Sequence, residues 1–222
     1  MGFWVSGGLR TRSQPALAGG AIYVGSHGGT VYAFDRETGC ARWTFDASAE
    51  VRTGIVISPW EAGDKTAAPM AYFGDLIGNL YALDAITGEL TWRARPDEHP
   101  TTTLTGTPSL YQNTLYVPVS SLEVVPAAEP DYECCHFRGS VVAYDARTGK
   151  RKWQGFTIAE EPSARTPNAV GTQNYGPSGA PIWNSPSIDI ERNQLTVGTG
   201  ENYSSPASGE SDAVIAFDLM TG

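Results

Sequence analysis

Positive charge is scarce in this sequence, which has 15 lysines and arginines against 24 aspartates and glutamates and a formal net charge of −9. A surface of that sign repels a phosphate backbone, so we do not expect nucleic acid as a partner. No segment approaches the ~20 consecutive apolar residues of a membrane helix, so no membrane span is predicted. The three cysteines, Cys40, Cys134 and Cys135, form no CxxC or CxxCH motif, which excludes the usual zinc, thioredoxin and haem-attachment motifs from this sequence.

Glycine and proline are abundant by contrast, with 25 and 15 residues in a chain of 222. High glycine and proline content without low-complexity segments favours a turn-rich, all-β protein over a helical one. The length suffices for one large domain or for several repeat units.

One motif occurs four times in the chain. Each copy reads as a hydrophobic residue, Ala, a second hydrophobic residue, Asp, any two residues and Thr-Gly. The copies are YAFDRETGCARW from Tyr32, YALDAITGELTW from Tyr81, VAYDARTGKRKW from Val142 and IAFDLMTG from Ile215. The first three copies end on a tryptophan, at Trp43, Trp92 and Trp153. Because the fourth copy stops inside the motif at Gly222, we expect the chain to be a piece of a longer protein, truncated at both ends.

The segments between the motifs alternate in hydrophobicity, as short β-strands do. The third unit predicts four strands, at residues 108–111, 114–117 and 140–144 and around Trp153. The Asp and Gly of the motif suit a tight turn between the last two strands. Four-stranded units with a recurring Trp predict a β-propeller in which the Trp packs between neighbouring blades and the motif Ala permits their close approach. A β-sandwich is the alternative, but it gives no reason for the repeated Trp.

The repeat resembles the tryptophan-docking motif of the pyrroloquinoline-quinone (PQQ) dehydrogenases, which are eight-bladed propellers. The segments YFGDLIGNLYALDAITGELTW, GTQNYGPSGAPIW and SSLEVVPAAEPDYECCHFRGS resemble the polyvinyl alcohol dehydrogenase branch in particular. The resemblance implies an all-β fold, a partial β-propeller of about three to four of the eight blades, in a single domain over residues 1–222.

The adjacent cysteines Cys134 and Cys135 are the first site candidates that the resemblance provides. In the PQQ dehydrogenases a disulfide between neighbouring cysteines lies against the flat quinone, which implies a cofactor-binding role for this pair. The pair departs from the methanol dehydrogenase pattern, where it lies one unit earlier. Two reduced cysteines in a long loop are the alternative. Cys40, inside a turn motif, is expected to be a free thiol without a function.

Glu123 and Ser120 end an apolar strand and resemble the calcium-binding Glu of the family and a Ser that contacts the quinone. A carboxylate there suits a hard cation such as calcium, although a solvated strand-end Glu is the alternative. Members of the family also have an Asn that binds the metal and follows a Gly-Thr-Gly sequence. Gly-Thr-Gly is found here at 198–200. The side-chain type favours Asn202 and the ungapped spacing favours Glu201, so both are candidate ligands.

Because PQQ is a tricarboxylate, its pocket needs fixed cations. Arg52 stands where the family places an Arg that grips the cofactor, and Thr105 resembles a cofactor-contacting Thr. Arg138, just after the cysteines, is a candidate without an assigned family position. Trp183 could form the aromatic floor beneath the quinone or pack in the core. For Arg52, Thr105 and Arg138 the alternative is a surface residue without a role in cofactor binding.

The resemblance implies a PQQ- and calcium-dependent alcohol dehydrogenase that oxidises secondary hydroxyl groups, such as those of polyvinyl alcohol. In the family, calcium polarises a quinone carbonyl, an Asp takes the hydroxyl proton, and electrons leave to a cytochrome c. That Asp is expected beyond Gly222, so no catalytic residue is predicted here and the chain alone should be inactive. Haem c is expected only in a missing part of the parent chain. Family members work in the periplasm, where a disulfide persists.

A non-catalytic scaffold propeller is the second hypothesis. Lipoproteins of outer-membrane barrel assembly contain repeats that resemble this one, and they bind partner proteins without PQQ. They need neither paired cysteines nor a carboxylate beside the channel, so Cys134, Cys135, Glu123 and Asn202 favour the enzyme.

Overall fold

A computed structural model describes residues 12–60, 64 and 66–222 of the chain. The predicted domain of residues 1–222 is therefore seen in part, because residues 1–11, 61–63 and 65 lie outside this description. The described residues form β-strands and loops, with one short 3-10 turn at Pro126–Ala128. Within them, no helix is long and apolar enough to cross a membrane.

The strands form consecutive antiparallel sheets that are the blades of a partial propeller. Blade 1 contains β1 (Ala16–Ala18), β2 (Ala21–Gly25), β3 (Thr30–Asp35) and β4 (Ala41–Asp46). Blade 2 contains β5 (Val56–Ile57), β6 (Met70–Gly74), β7 (Leu80–Asp84) and β8 (Leu90–Ala94). Each sheet follows chain order, so every strand pairs with the one before it.

The third and fourth blades follow the same order with local differences. Blade 3 contains β9 (Thr102–Thr103), β10 (Ser109–Tyr111), β11 (Thr114–Ser121), β12 (Ser140–Asp145) and β13 (Arg151–Phe156), with β9 paired to the end of β11. Short pairs follow: β14 (Ser163–Ala164) with β15 (Tyr175–Gly176), and β16 (Ser178–Gly179) with β19 (Asn202–Ser204). Blade 4 contains β17 (Ser187–Asp189), β18 (Gln194–Gly198) and β20 (Val214–Asp218). The four strands predicted for the third unit are confirmed as β10 to β13.

Burial along the strands reflects how many neighbours a blade has. In β2 the buried residues alternate with half-buried ones, the period-2 pattern of a strand with one covered face. In β7 and β11 nearly every residue is buried, because blades 2 and 3 are covered on both faces. The sequence of these inner strands is accordingly almost continuously apolar.

Three hydrophobic clusters lie between successive blades and form the core. The first joins Tyr23 and Trp43 of blade 1 to Phe73 and Tyr81 of blade 2. The second and third clusters repeat this arrangement between blades 2 and 3 and between blades 3 and 4. The motif tryptophans take part in all three, which confirms the prediction that they pack between blades.

The turn of the repeat has the chemistry that its sequence predicts. In blade 3 the Oδ1 atom of Asp145 accepts hydrogen bonds from the backbone N–H and the hydroxyl of Thr148, both at 2.9 Å. Gly149 follows with a φ of +69°, a conformation that disfavours side chains with a Cβ. These contacts fix the hairpin that returns the chain to β13.

Candidate functional site

Five predicted site residues meet in one cavity of about 400 Å³, called the Arg52 cavity below. They are Arg52, Thr105, Ser120, Trp183 and Glu201. The remaining lining residues were not singled out from the sequence: Arg12, Thr103, Ser121, Leu122, Val124, Pro181 and Tyr203. The residues come from loops and strand ends of different blades, the places where loops of a propeller converge. Their convergence makes this cavity the candidate site.

Arg52 lies in the loop between β4 and β5 and is held there by Glu50. Its Nη2 donates to Oε2 of Glu50 at 2.9 Å, and its Nε lies 2.9 Å from Oε1 in an ion pair. That Nε is buried and has no partner with hydrogen-bond geometry. His27 Nδ1 lies 3.0 Å from the same Oε1. Burial alone raises the pKa of the Glu50 carboxyl, but the hydrogen bonds with Arg52 and His27 keep that pKa below its usual value.

The cavity therefore contains a guanidinium group, that of Arg52, which a buried carboxylate holds in place. The Arg52 side chain remains 26% exposed while its partner Glu50 is almost fully buried, so part of the guanidinium can meet a ligand. Arg12 contributes a second guanidinium to the lining. Guanidinium groups of this kind bind carboxylates strongly because the hydrogen bonds are charge-assisted and often bidentate.

Hydroxyl groups line another part of the cavity because β9 pairs with the end of β11. The pairing sets Thr103 opposite Ser120, and both residues are buried. The neighbouring Ser121 shares a 2.7 Å hydrogen bond with the Thr101 hydroxyl. Thr105 lies two residues beyond Thr103 and lines the same cavity, as two residues on one face of an extended segment do. These hydroxyls can donate to or accept from a polar ligand.

Two aromatic side chains complete the lining, Trp183 and Tyr203. Trp183 is 57% exposed, so the alternative that it packs in the core is wrong. Tyr203 is half-buried and donates from its hydroxyl to the carbonyl oxygen of Ser121 at 3.1 Å. Burial, followed by the nearby Glu201 and Glu123 carboxylates, raises the pKa of the Tyr203 phenol, which keeps it a neutral donor. An aromatic ring with one wide exposed face suits a flat ligand.

Glu123 does not line the Arg52 cavity. Its side chain is fully buried, and its carboxylate oxygens accept hydrogen bonds from the backbone N–H groups of His136 (2.9 Å) and Phe137 (2.8 Å). The Tyr132 hydroxyl donates to it at 3.1 Å, and His99 Nε2 lies at 3.3 Å. Burial raises the pKa of this carboxyl, but the hydrogen bonds from His99 and the two amides outweigh that effect and hold the pKa below its usual value.

Asn202 and Glu201, the alternatives for a second ligand, are separated by the fold. The side-chain oxygen of Asn202 accepts from Ser208 N at 3.0 Å, and its Nδ2 donates to the Ser211 hydroxyl at 2.7 Å. Asn202 is therefore engaged with its own loop, whereas Glu201 lines the cavity. Of the three predicted metal-binding residues, Glu201 is the one that reaches the cavity.

Cys134 and Cys135 are joined by a disulfide, so the reduced alternative does not apply. The pair is not part of the cavity lining. Both sulfur atoms lie 3.8 Å from the carbonyl oxygen of Tyr203, whose side chain does line it. Tyr203 thus connects the disulfide to the cavity. Cys40 is a free, exposed thiol, as predicted.

Arg138 points away from the candidate site. Its Nη1 donates to the carbonyl oxygens of Ile158 (3.1 Å) and Ala159 (3.0 Å), and its guanidinium lies 4.0 Å from the centre of the Phe156 ring. It lines a separate, more open cavity with His99 and other residues. Arg138 therefore fastens a loop of blade 3 and does not reach the Arg52 cavity.

Comparisons with known proteins agree on a propeller built from PQQ-type repeats. A family model described as "Outer membrane protein assembly factor BamB" matches residues 3–222. A polyvinylalcohol dehydrogenase from a Pseudomonas species is 37% identical over 209 residues, which cover 94% of this chain and 33% of the relative. The quinohemoprotein alcohol dehydrogenase of Comamonas testosteroni is 29% identical over 95% of this chain and 32% of its own length.

The solved structure of that Comamonas enzyme superposes with a TM-score of 0.69 at 24% identity, covering 95% of this chain and 34% of the other. At that identity the superposition supports the fold alone. The chain spans about a third of the length of the curated relatives it matches.

Proposed function

The chain belongs to the family of PQQ-type repeat proteins, and we propose from this that it forms part of a PQQ-dependent alcohol dehydrogenase. The observation that carries the proposal is the Arg52 cavity, in which two arginines, several hydroxyls and two aromatic rings surround one space. The names of similar curated relatives, polyvinylalcohol dehydrogenase and quinohemoprotein alcohol dehydrogenase, support the same activity.

The donor set of the cavity fits PQQ, a flat molecule with three carboxylates. Arg52, fixed by Glu50, and Arg12 would pair with carboxylates of the cofactor. The hydroxyls of Thr105 and Ser120 would meet its remaining polar edge, and Trp183 would lie against its ring. The bound quinone supplies the capacity to accept two electrons and a proton from an alcohol. The residues of this chain would bind the cofactor and orient it.

Calcium fits the described residues less well. Calcium takes roughly 6–8 oxygen ligands, yet the side-chain oxygens of Glu123 and Asn202 already accept hydrogen bonds within the chain. Glu201 is the predicted ligand that reaches the cavity. Calcium stays a prediction from the resemblance, and no step of the reaction is assigned to it.

The substrate, the electron acceptor and the location are also part of the proposal. We propose secondary hydroxyl groups of a polymer such as polyvinyl alcohol as the substrate, because two of the similar relatives are named polyvinylalcohol dehydrogenase. Leu122 and Val124 at the cavity edge suit the apolar carbon chain of such a polymer. A cytochrome c is the proposed acceptor. The Cys134–Cys135 disulfide supports an oxidising compartment, the periplasm.

One observation favours the alternative, a scaffold propeller of the outer-membrane assembly type. The matching family model is described by the name of such a protein. A scaffold has no need for two arginines in one cavity with hydroxyls and an exposed Trp, so the cavity favours the enzyme. PQQ binding separates the two functions.

Equilibrium dialysis of the purified chain against PQQ tests the proposal, with benzene-1,3,5-tricarboxylate as a ligand of equal charge. We expect the protein to retain PQQ more strongly than the smaller tricarboxylate, because the aromatic residues add contacts to the charge pairing. Retention of neither ligand would favour the scaffold. Equal retention of both ligands would mean that the cavity binds anions without selectivity for PQQ.

A further inference from the structure

Glu123 differs from Glu201, the acidic residue that lines the cavity, because its carboxylate is fully buried and both of its oxygens accept hydrogen bonds. It comes directly after Leu122, which lines the Arg52 cavity, but its own side chain is 0% exposed. A buried carboxylate is unfavourable unless donors surround it. The donors that surround this one come from a single segment, residues 132–137, and from His99.

The contacts engage both oxygens of the Glu123 carboxylate. Oε2 accepts from Phe137 N at 2.8 Å, and Oε1 accepts from His136 N at 2.9 Å and from the Tyr132 hydroxyl at 3.1 Å. His99 Nε2 lies 3.3 Å from Oε1. A carboxylate oxygen has about two lone-pair sites, so the three contacts on Oε1 use its accepting capacity, and the amide of Phe137 occupies one of the two sites on Oε2.

The segment that Glu123 holds is the one that carries the disulfide. His136 and Phe137 directly follow Cys135, so two consecutive amides after the cysteine pair are fixed to the end of β11. A second segment also holds the pair, because Cys135 N donates to the carbonyl oxygen of Tyr175, in β15, at 3.2 Å. The disulfide turn is therefore held by two segments.

The same contacts continue to the wall of the cavity. The sulfurs of the disulfide face the carbonyl oxygen of Tyr203, and the Tyr203 hydroxyl donates to the carbonyl oxygen of Ser121, two residues before Glu123. The path from Glu123 through the disulfide turn and Tyr203 thus returns to β11. Tyr203 lines the cavity, so this closed path connects Glu123 with the cavity wall.

We propose that Glu123 is a positioning residue that anchors the Cys134–Cys135 turn, and through it Tyr203, and that it is not a metal ligand. A cation bound by both carboxylate oxygens would have to displace donors from Oε1, which include the amide of His136, and would compete at Oε2 with the amide of Phe137. Phe137 is buried, and its N–H, if displaced, would be left without a partner, which is unfavourable. The anchor depends on contacts within the chain and holds whether or not PQQ binds.

Hydrogen exchange of the unmodified protein tests the anchor without any substitution. We expect the amide protons of His136 and Phe137 to be protected in calcium-free buffer and to remain equally protected with excess Ca²⁺ or Tb³⁺. Two results would overturn the proposal: exchange at the rate of an open loop in calcium-free buffer, or protection that is lost when the cation is added. The second result would mean that Glu123 leaves the amides to bind the metal.

A variant adds a second measurement, the rate at which the disulfide is reduced, and a control variant separates this rate from a general loss of stability. In Glu123→Gln the side-chain amide can replace one acceptor but presents N–H₂ to a backbone donor. We expect dithiothreitol to reduce its disulfide about tenfold faster than that of the unmodified protein. Gly88→Ala, which crowds the distant interface between blades 1 and 2, is the control for a destabilised but anchored protein.

Equal reduction rates in Glu123→Gln and the Gly88→Ala control, at matched urea midpoints, would contradict the anchor. If Glu123→Gln does not fold, Tyr132→Phe removes one donor from the half-buried edge of the cluster and leaves both amides in place. That variant should reduce about twofold to threefold faster than the unmodified protein. The proposal would be wrong if the folded Tyr132→Phe protein had an unchanged rate of disulfide reduction and the amides of His136 and Phe137 were unprotected.

Discussion

The indole Nε1 of Trp43, on the last strand of blade 1, donates a hydrogen bond at 3.0 Å to the carbonyl oxygen of Ala85, in the turn of blade 2. Ala85 is the residue after the motif Asp of its blade. The same bond recurs between later blades, from Trp92 to Ala146 at 3.0 Å and from Trp153 to Leu219 at 3.2 Å. Each motif Trp thus binds the turn of the following blade, so the recurring Trp fixes how successive blades are spaced.

Replacing Trp92 by Phe should destabilise the interface between blades 2 and 3. The variant keeps an aromatic ring but removes the donor to the Ala146 carbonyl, which we expect to lower the free energy of unfolding by about 1–3 kcal/mol. Urea denaturation measures the change. Trp183→Phe is the control, because Trp183 is 57% exposed and should shift stability by less than about 0.5 kcal/mol. Equal shifts in both variants would contradict the role of the indole bond.

The glycines of the repeat offer a matched pair that isolates blade packing from backbone conformation. Gly149 (φ +69°) and Gly39 (φ +71°) occupy the same motif position. A Cβ on Gly149 would come within 2.7 Å of the Trp92 ring, whereas a Cβ on Gly39 meets nothing within 4 Å. Gly39→Ala should cost about 1–2 kcal/mol of stability through its left-handed backbone.

Gly149→Ala should cost about 1–3 kcal/mol more than Gly39→Ala, because the ring and both backbones must also shift. The difference between the two urea midpoints measures this packing contribution. Equal losses would mean that the Trp92 ring moves aside freely and that the close approach of blades does not require Gly there.

Local sequence signals were sufficient to predict the fold. Alternating strands, the Asp-x-x-Thr-Gly turn and the repeated Trp act over a few residues, and each is found where predicted. The close approach of blades was attributed to the motif Ala. The structure adds a partner for the Trp that the sequence did not reveal: the motif Gly of the following blade, which lies against the indole ring at Gly88 and Gly149.

The site was predictable in part, because side-chain direction at a strand end depends on single-residue alternation. Leu122 and Val124 line the cavity, while Glu123 between them turns away to amides 13 and 14 residues later in the chain. The same alternation sends Glu201 to the cavity and Asn202 to its own loop. No local pattern marks such contacts between distant segments.

Tyr203 and Arg12 were missed for related reasons. Tyr203 follows the predicted Asn202, but its role rests on contacts with Ser121, 82 residues away, and with the disulfide. Arg12 lies before the first strand, in no motif. A weak signal existed for Thr103, because it precedes the predicted Thr105 by two residues and an extended segment sets both on one face.

Acid should weaken the turn of blade 1 through Asp35. Hydrogen bonds from Arg42 (2.7 Å) and from Thr38 hold the pKa of the Asp35 carboxyl well below its usual value. The folded pKa is therefore lower than the unfolded pKa of about 3.9. The stabilisation by ionised Asp35 is fully present above pH ~4 and is lost as the pH falls through the lowered pKa.

Urea midpoints of the unmodified protein and of Asp35→Asn, measured from pH 7 down to pH 2, test this dependence. Asn keeps an acceptor for Thr38 but loses the charge that pairs with Arg42, so the variant should be less stable at pH 7 and its curve should be flatter below pH 4. Parallel curves would mean that other carboxylates dominate acid unfolding.

Arg52→Gln should weaken PQQ binding about tenfold to a hundredfold, because a charge-assisted hydrogen bond contributes about 1.5–3 kcal/mol. Equilibrium dialysis measures the affinity. Arg52→Lys should have an affinity for PQQ between that of the unmodified protein and that of Arg52→Gln. An ammonium group keeps the charge but cannot bind a carboxylate through two parallel bonds. Arg36→Gln is the charge-matched control, because Arg36 is exposed in the turn of blade 1 and pairs weakly with Glu37 at 3.9 Å. Equal losses in the two Gln variants would mean that net charge, and not the Arg52 guanidinium held by Glu50, attracts the cofactor.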